Sequence, residues 1–208
     1  MKKYICFFSL FVFLIFSSFA YADNNKVLSF QDIQWLSNDE ETISKMKENG
    51  LINSAYSGIS YNNTGKYILN DNMEFFWIDL IEEYKDYCYS ASFCGSVKGK
   101  IAGYPIKDII ISFAYDGDFH LISVEVKVLG ADYNQLKDKI SKVYGEAETV
   151  SIEEEEIVSN IWKGEDNSAI VLYKHGNDLD YSLMYGRIDA AEILANCRIC
   201  DQDDVSGL

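Results

Sequence analysis

GADYNQLKDKISKVYGEAETVSIEEEEIVSNIWKGEDNSAIVLYKHGNDLDYSLMY, residues 130–185, decides how the fold is read. It opens on a helix. Asp132 is a good N-cap, and Gln135 follows three residues later at the capping-box spacing. Tyr133, Leu136, Ile140, Val143 and Tyr144 fall on one helical face, while Lys137, Lys139 and Lys142 lie elsewhere. Gly145 supplies the stop, because glycine takes a left-handed C′ conformation without a Cβ clash. Strands follow. Glu153–Glu156 is an acidic block that reads as a solvated loop or hairpin tip. Ile157–Lys163 reads as a strand, Gly164–Asn167 as a turn, Ser168–Lys174 as a strand and His175–Asp178 as a turn. Leu179, Tyr181, Leu183 and Tyr185 then alternate through a last strand.

Upstream, Val97–Gly103 reads as a strand, Tyr104-Pro105 as a turn and Asp108–Tyr115 as a second strand. Asp116-Gly117-Asp118 turns the chain into Phe119–Leu129, where Ile122, Val124, Val126 and Val128 are expected inward and Ser123, Glu125 and Lys127 outward. These three strands form an antiparallel meander. A first helix begins at Ser37-Asn38, with Asp39, Glu40 and Glu41 crowding the first turn, Lys45 and Lys47 coming late and Gly50 ending it. Trp77, Leu80, Ile81, Tyr84 and Cys88 keep a helical spacing, so residues 73–86 are expected as a helix, although Phe75, Phe76 and Trp77 also suit a strand. Asp189 caps a short helix, Ala190–Asn196.

The expected class is α+β: two helix-then-three-stranded antiparallel meander units forming one mixed domain, with the helices packed on one face of the sheet. Ile43-Ser44-Lys45-Met46 and Ile140-Ser141-Lys142-Val143 nearly coincide, which suggests a pseudo-repeat of 36–129 and 130–187. The single domain is expected over 23–200 and a flexible acidic tail over 201–208.

The amino terminus sets the compartment. Lys2 and Lys3 precede an apolar run, Tyr4–Phe16, and Ala20-Tyr21-Ala22 is an A-x-A site. Residues 1–22 therefore read as a signal peptide cut after Ala22, and the protein as periplasmic or secreted. The apolar run is shorter than the ~20 residues that span a bilayer, so no stable membrane anchor is expected.

At GYPIKDIIISFAYDG (103–117) and DYNQLKDKISKVYG (132–145) the chain resembles small exported proteins with a helix-then-meander module. The β-lactamase inhibitor protein family and the BamE-type outer-membrane assembly proteins have such a module. The resemblance implies a fold, and no functional residue carries over. BamE-type proteins hold a lipid anchor that this sequence lacks.

Loss of residues 1–22 would leave 16 basic residues against 33 acidic ones, a formal charge of −17. Such a charge repels nucleic acid and anionic membrane and attracts a basic protein. Four cysteines would remain, Cys88, Cys94, Cys197 and Cys200, an even number that reads as two disulfides. Local pairing, Cys88–Cys94 with Cys197–Cys200, is favoured over a crossed arrangement that would pin the tail to the region before the sheet. Cys197-Arg198-Ile199-Cys200 follows a helix, whereas redox C-x-x-C pairs open one.

Only two histidines occur, His120 and His175, and neither has a neighbouring nucleophile motif. No catalytic residue, metal ligand set or cofactor site is expected. The reading is a non-enzymatic protein-binding, inhibitor or envelope-accessory protein. Its candidate binding residues are Glu153, Glu154, Glu155 and Glu156, with Trp162 and Tyr181 as aromatic anchors. The alternative is an exported hydrolase that uses carboxylates.

Overall fold

The computed structural model describes residues 27–53, 67–69, 75–77, 86–93, 97–152, 157–175 and 181–205. In chain order its elements are α1 (Asp39–Glu48), β1 (Tyr67–Leu69), β2 (Phe75–Trp77), β3 (Cys88–Ser92), β4 (Lys100–Ile101), β5 (Tyr104–Tyr115), β6 (Phe119–Val128), α2 (Tyr133–Tyr144), β7 (Glu148–Ile152), β8 (Ile157–Lys163), β9 (Ser168–His175), β10 (Tyr181–Arg187) and α3 (Ala190–Val205).

Both central helices start on the caps the sequence offers. The Asn38 side chain accepts from the Glu41 amide at 2.8 Å, and the Asp132 carboxylate accepts from the Gln135 amide at 2.8 Å. Each satisfies one of the amides left over in a first helical turn. Gly145 ends α2 with φ 87°, where a side chain would be strained.

The main sheet runs β3–β5–β6–β10–β9–β8–β7, antiparallel throughout, with β4 as a short extra partner of β5. A separate two-stranded sheet joins β1 and β2. The α+β class is as the sequence predicts. The first three strands come from the segment before α2 and the last four from the segment after it. The halves meet where β6 and β10 pair, Leu183 opposite Val126 and Tyr185 opposite Val124.

One face of this sheet carries the larger core. Ile109, Ile111 and Phe113, Val124 and Val126, Leu183 and Tyr185, and Ile170 and Leu172 are buried there in one cluster. Ile43 and Met46 of α1, Tyr133, Leu136 and Ile140 of α2, and Leu28, Phe30 and Ile33 close it over. The expected arrangement, all helices on one face, needs correction. Ala190, Leu194 and Cys197 of α3 pack on Cys88, Ala114 and Ile122, which belong to the opposite side of the sheet. The reason is visible in β3, β5 and β6, where Cys88, Ala114 and Ile122 leave the second face apolar and in need of cover as well. Ile157, Ile161, Val171 and Met184 form a further buried cluster on that second side.

Several local expectations shift. Ile122 was expected beside Val124, yet the ladder steps from Ser112↔Ser123 to Phe113↔Leu121, so Ile122 is the extra residue of a β-bulge and goes to the α3 side. Val143 is 63% exposed, and the buried stripe of α2 drifts toward Tyr144 instead. Phe75–Trp77 is a strand paired with Tyr67–Leu69, not part of a helix over 73–86; residues 78–85 lie outside the described residues. The turn expected at Tyr104-Pro105 falls at Ala102-Gly103, with φ 51° and 87°. Helix α3 runs on to Val205, through acids predicted to be a loose tail.

Candidate functional site

Glu153–Glu156 lie outside the described residues, as does Cys94. The strand ends that flank the acidic block are nevertheless fixed: Ile152 pairs with Ile157, Ile157 with His175, and Lys174 with Tyr181. Tyr181 therefore stands at the same end of the sheet as Ile152 and Ile157. It is half-buried, and its hydroxyl donates to the Ala131 carbonyl at 2.8 Å. Burial, with the charge of Asp132, pushes its phenol up.

Trp162 is a correction. It is 2% exposed, and its indole N–H donates to the Gly145 carbonyl at 3.0 Å. An interface anchor must be reachable, and this ring is core. Cys88 and Cys197 lie buried in one small apolar cluster; the side chains of their expected partners, Cys94 and Cys200, lie outside the described residues. Cys200 falls one turn beyond Cys197 inside α3, not after a helix.

The structure assembles a different surface. Tyr115 and Phe119 face each other across the β5–β6 hairpin, ring centroids 4.9 Å apart. Tyr89 of β3 stands edge-on to both, at 5.5 and 5.7 Å, and Phe113 lies 5.7 Å from Phe119. Such tilted and edge contacts suit the ring quadrupoles. Tyr89, Tyr115 and Phe119 are half-buried, so the cluster is neither core nor fully exposed.

Acids rim it. Asp116, Gly117 and Asp118 form the hairpin tip and are exposed, as is Asp86, one residue before Tyr87, whose carbonyl accepts from the Tyr115 amide at 2.9 Å. Burial by itself would raise the Asp116 carboxyl. Hydrogen bonds from His120 at 2.9 Å and the Asp118 amide outweigh it, so Asp116 is held below the usual carboxylate range. Register brings more acids to this end. Gly186 pairs with both Ser123 and Ala169, and Lys163 with Ala169, so the Glu165-Asp166 turn shares it. Aromatic rings on either side of a three-residue turn were legible as neighbours; Tyr89 was not, because it lies in a stretch with no clear periodicity.

An open polar cleft of about 750 Å³ lies where residues 27–35 pass over the β8–β9 turn. Asp32, Gln34, Trp35, Asp166, Asn167 and Arg187 line it. Leu28 is tied down by the Ser168 hydroxyl, which accepts from its amide at 2.8 Å, and Leu36 and Ser37 bond both ways with Leu121 at 3.0 Å. Arg187 is committed: its Nε donates to Asp189 at 2.7 Å and Nη2 to the second carboxylate oxygen. Asn167 donates to the same carboxylate at 3.0 Å. Burial would raise Asp189, but these bonds and the guanidinium charge outweigh it and hold the carboxyl low.

The two surfaces differ in what they can do. A general acid needs a carboxyl raised toward neutral pH, and Asp116 and Asp189 move the other way. Among the described residues no group of three or more His, Cys, Asp or Glu is placed to hold a metal ion, and no helix is long and apolar enough to cross a membrane. The aromatic cluster has an apolar centre and a charged rim, the anatomy of a protein interface. The chain matches no protein-family model, no curated protein and no solved structure.

Proposed function

We propose that this is an exported, non-enzymatic protein-binding protein, released from its leader after Ala22, whose partner presents a basic surface. The observation that carries the reading is the half-buried Tyr89–Tyr115–Phe119 cluster with Asp86, Asp116 and Asp118 around it. Aromatic centres supply most of the energy of many interfaces, while rim charges steer encounter. The formal charge of −15 on the whole chain favours the same kind of partner.

The test uses the mature chain as bait against exported fractions, in parallel with Tyr115→Ala and Asp116→Asn/Asp118→Asn baits. A specific partner is recovered by the parent and lost with Tyr115→Ala. With that partner purified, Tyr115→Ala should weaken binding about tenfold or more, mainly through dissociation. The double Asp→Asn variant should instead slow association, with the difference vanishing at high salt. Equal recovery by all three baits, or turnover of a small substrate by the purified chain, would remove the reading.

A further inference from the structure

Strand β7 is the last strand of the main sheet and pairs on one side only, with β8. Its outer side presents alternate N–H and C=O groups that have no partner among the described residues.

Edge strands are usually blunted by a proline, a bulge or a twist away from the sheet. β7 has none of the first two. Its ladder runs in unbroken register from Glu148↔Ile161 to Ile152↔Ile157, and no proline lies in it. Two of its polar side chains bond to β8. Glu148 pairs with Lys163 at 2.9 Å, and the Thr149 hydroxyl donates to Asn160 at 3.1 Å. Asn160 in turn donates to the Tyr133 hydroxyl, which anchors the edge to α2. The strand is thus tied to β8 and α2, and its outer backbone is the bonding capacity left over.

Charge decides which strand it admits. Residues 145–156 hold six acids and no base. A second copy added edge to edge would set this acidic segment against itself, and like charges across a ladder are destabilising. We propose that β7 is a docking edge for an extended, lysine- or arginine-rich segment of a partner protein, which adds to the sheet as one more strand. Strand addition draws affinity from main-chain hydrogen bonds and selectivity from alternate side chains. On one side the incoming residues would meet Thr149 and Ser151, and on the other Glu148 and half-buried Val150. The best segment therefore alternates a base with a β-branched residue. This surface lies on the sheet edge away from the aromatic cluster and does not depend on it.

The experiment uses three synthetic seven-residue peptides with the full mature chain: Lys-Val alternating, Glu-Val alternating, and the Lys-Val peptide with its central valine replaced by proline. Fluorescence anisotropy reads binding, and amide hydrogen exchange reads where it occurs. The Lys-Val peptide should bind and slow exchange at alternate amides of 148–152. The Glu-Val peptide should bind at least tenfold more weakly. The proline peptide keeps every charge but interrupts the ladder, and it should also lose at least tenfold. Thr149→Pro and Val150→Pro, of which one removes an outward N–H and spares the β8 ladder, provide the complementary change. The proposal is overturned by equal binding of the proline peptide, which would leave plain charge attraction, or by protection elsewhere than β7. Protection of the same amides in a self-associated chain without peptide would overturn the choice of occupant.

Discussion

Val124 has no exposed surface, while Glu125, the next residue of β6, is half-buried on the other side of the sheet. Val124→Asp buries an unpaired carboxylate and should cost several kcal/mol, enough to unfold a domain of ordinary stability. Glu125→Lys should change stability by less than about 1 kcal/mol. Equal losses in urea titrations would mean that β6 is in another register. Asp189 supports a pH test. Its carboxyl is held low by Arg187 and Asn167, so its contribution is complete above the ordinary carboxylate range and is lost as pH falls through the lowered value. Asp189→Asn should therefore cost roughly 1–2 kcal/mol at pH 7. The gap from the parent should close in acid, and a constant gap at every pH would show that the charge is not what matters. At this scale the caps were legible, because a cap bonds three residues away. Trp162 was not, because which side of a strand meets a helix depends on partners far along the chain.

Helix α2 rests on its two ends. Asp132→Ala removes the bond to the Gln135 amide and should cost about 1 kcal/mol. Gly145→Ala forces a side chain to φ 87° and ψ −165°, a region nearly reserved for glycine, at about 1–3 kcal/mol. The ends are a helix apart, so the double variant should lose close to the sum, measured by thermal unfolding. Elements with strong local period, α1, α2, β6, β8 and β9, were legible in kind. Phe75–Trp77 was not. Its aromatic residues fit either period, and its partner strand is equally short, so tertiary pairing decided. Nor was the β5–β6 bulge, since one added residue leaves strict alternation intact on paper while it turns Ile122 to the other face.

For the whole molecule, the sequence pointed to helices and meanders but not to the join between them. Turn chemistry sets which strands pair within a meander, and nothing local says that β10 must meet β6. Net charge, by contrast, needs no fold. Replacing Glu153–Glu156 together by glutamine should slow association with a basic partner more than it speeds dissociation. The effect should shrink as ionic strength carries the Debye length to roughly 8 Å and below. Stopped-flow rates at two salt concentrations check it, and an on-rate indifferent to both salt and substitution would count against electrostatic steering.

The bond from the Leu28 amide to the Ser168 hydroxyl spans 140 residues, and Val27 forms a parallel bridge with Glu165. A chain emerging from the ribosome therefore makes its first described residues long before it makes the place where they belong. Each meander can close on its own neighbours, but Val27 and Leu28 must wait until the β8–β9 turn exists. Until then Leu28 and Phe30 lack part of the core they pack into, and the segment stays available to whatever holds an unfinished chain. Val27 and Leu28 are thus sealed only after the far half of the sheet has been made.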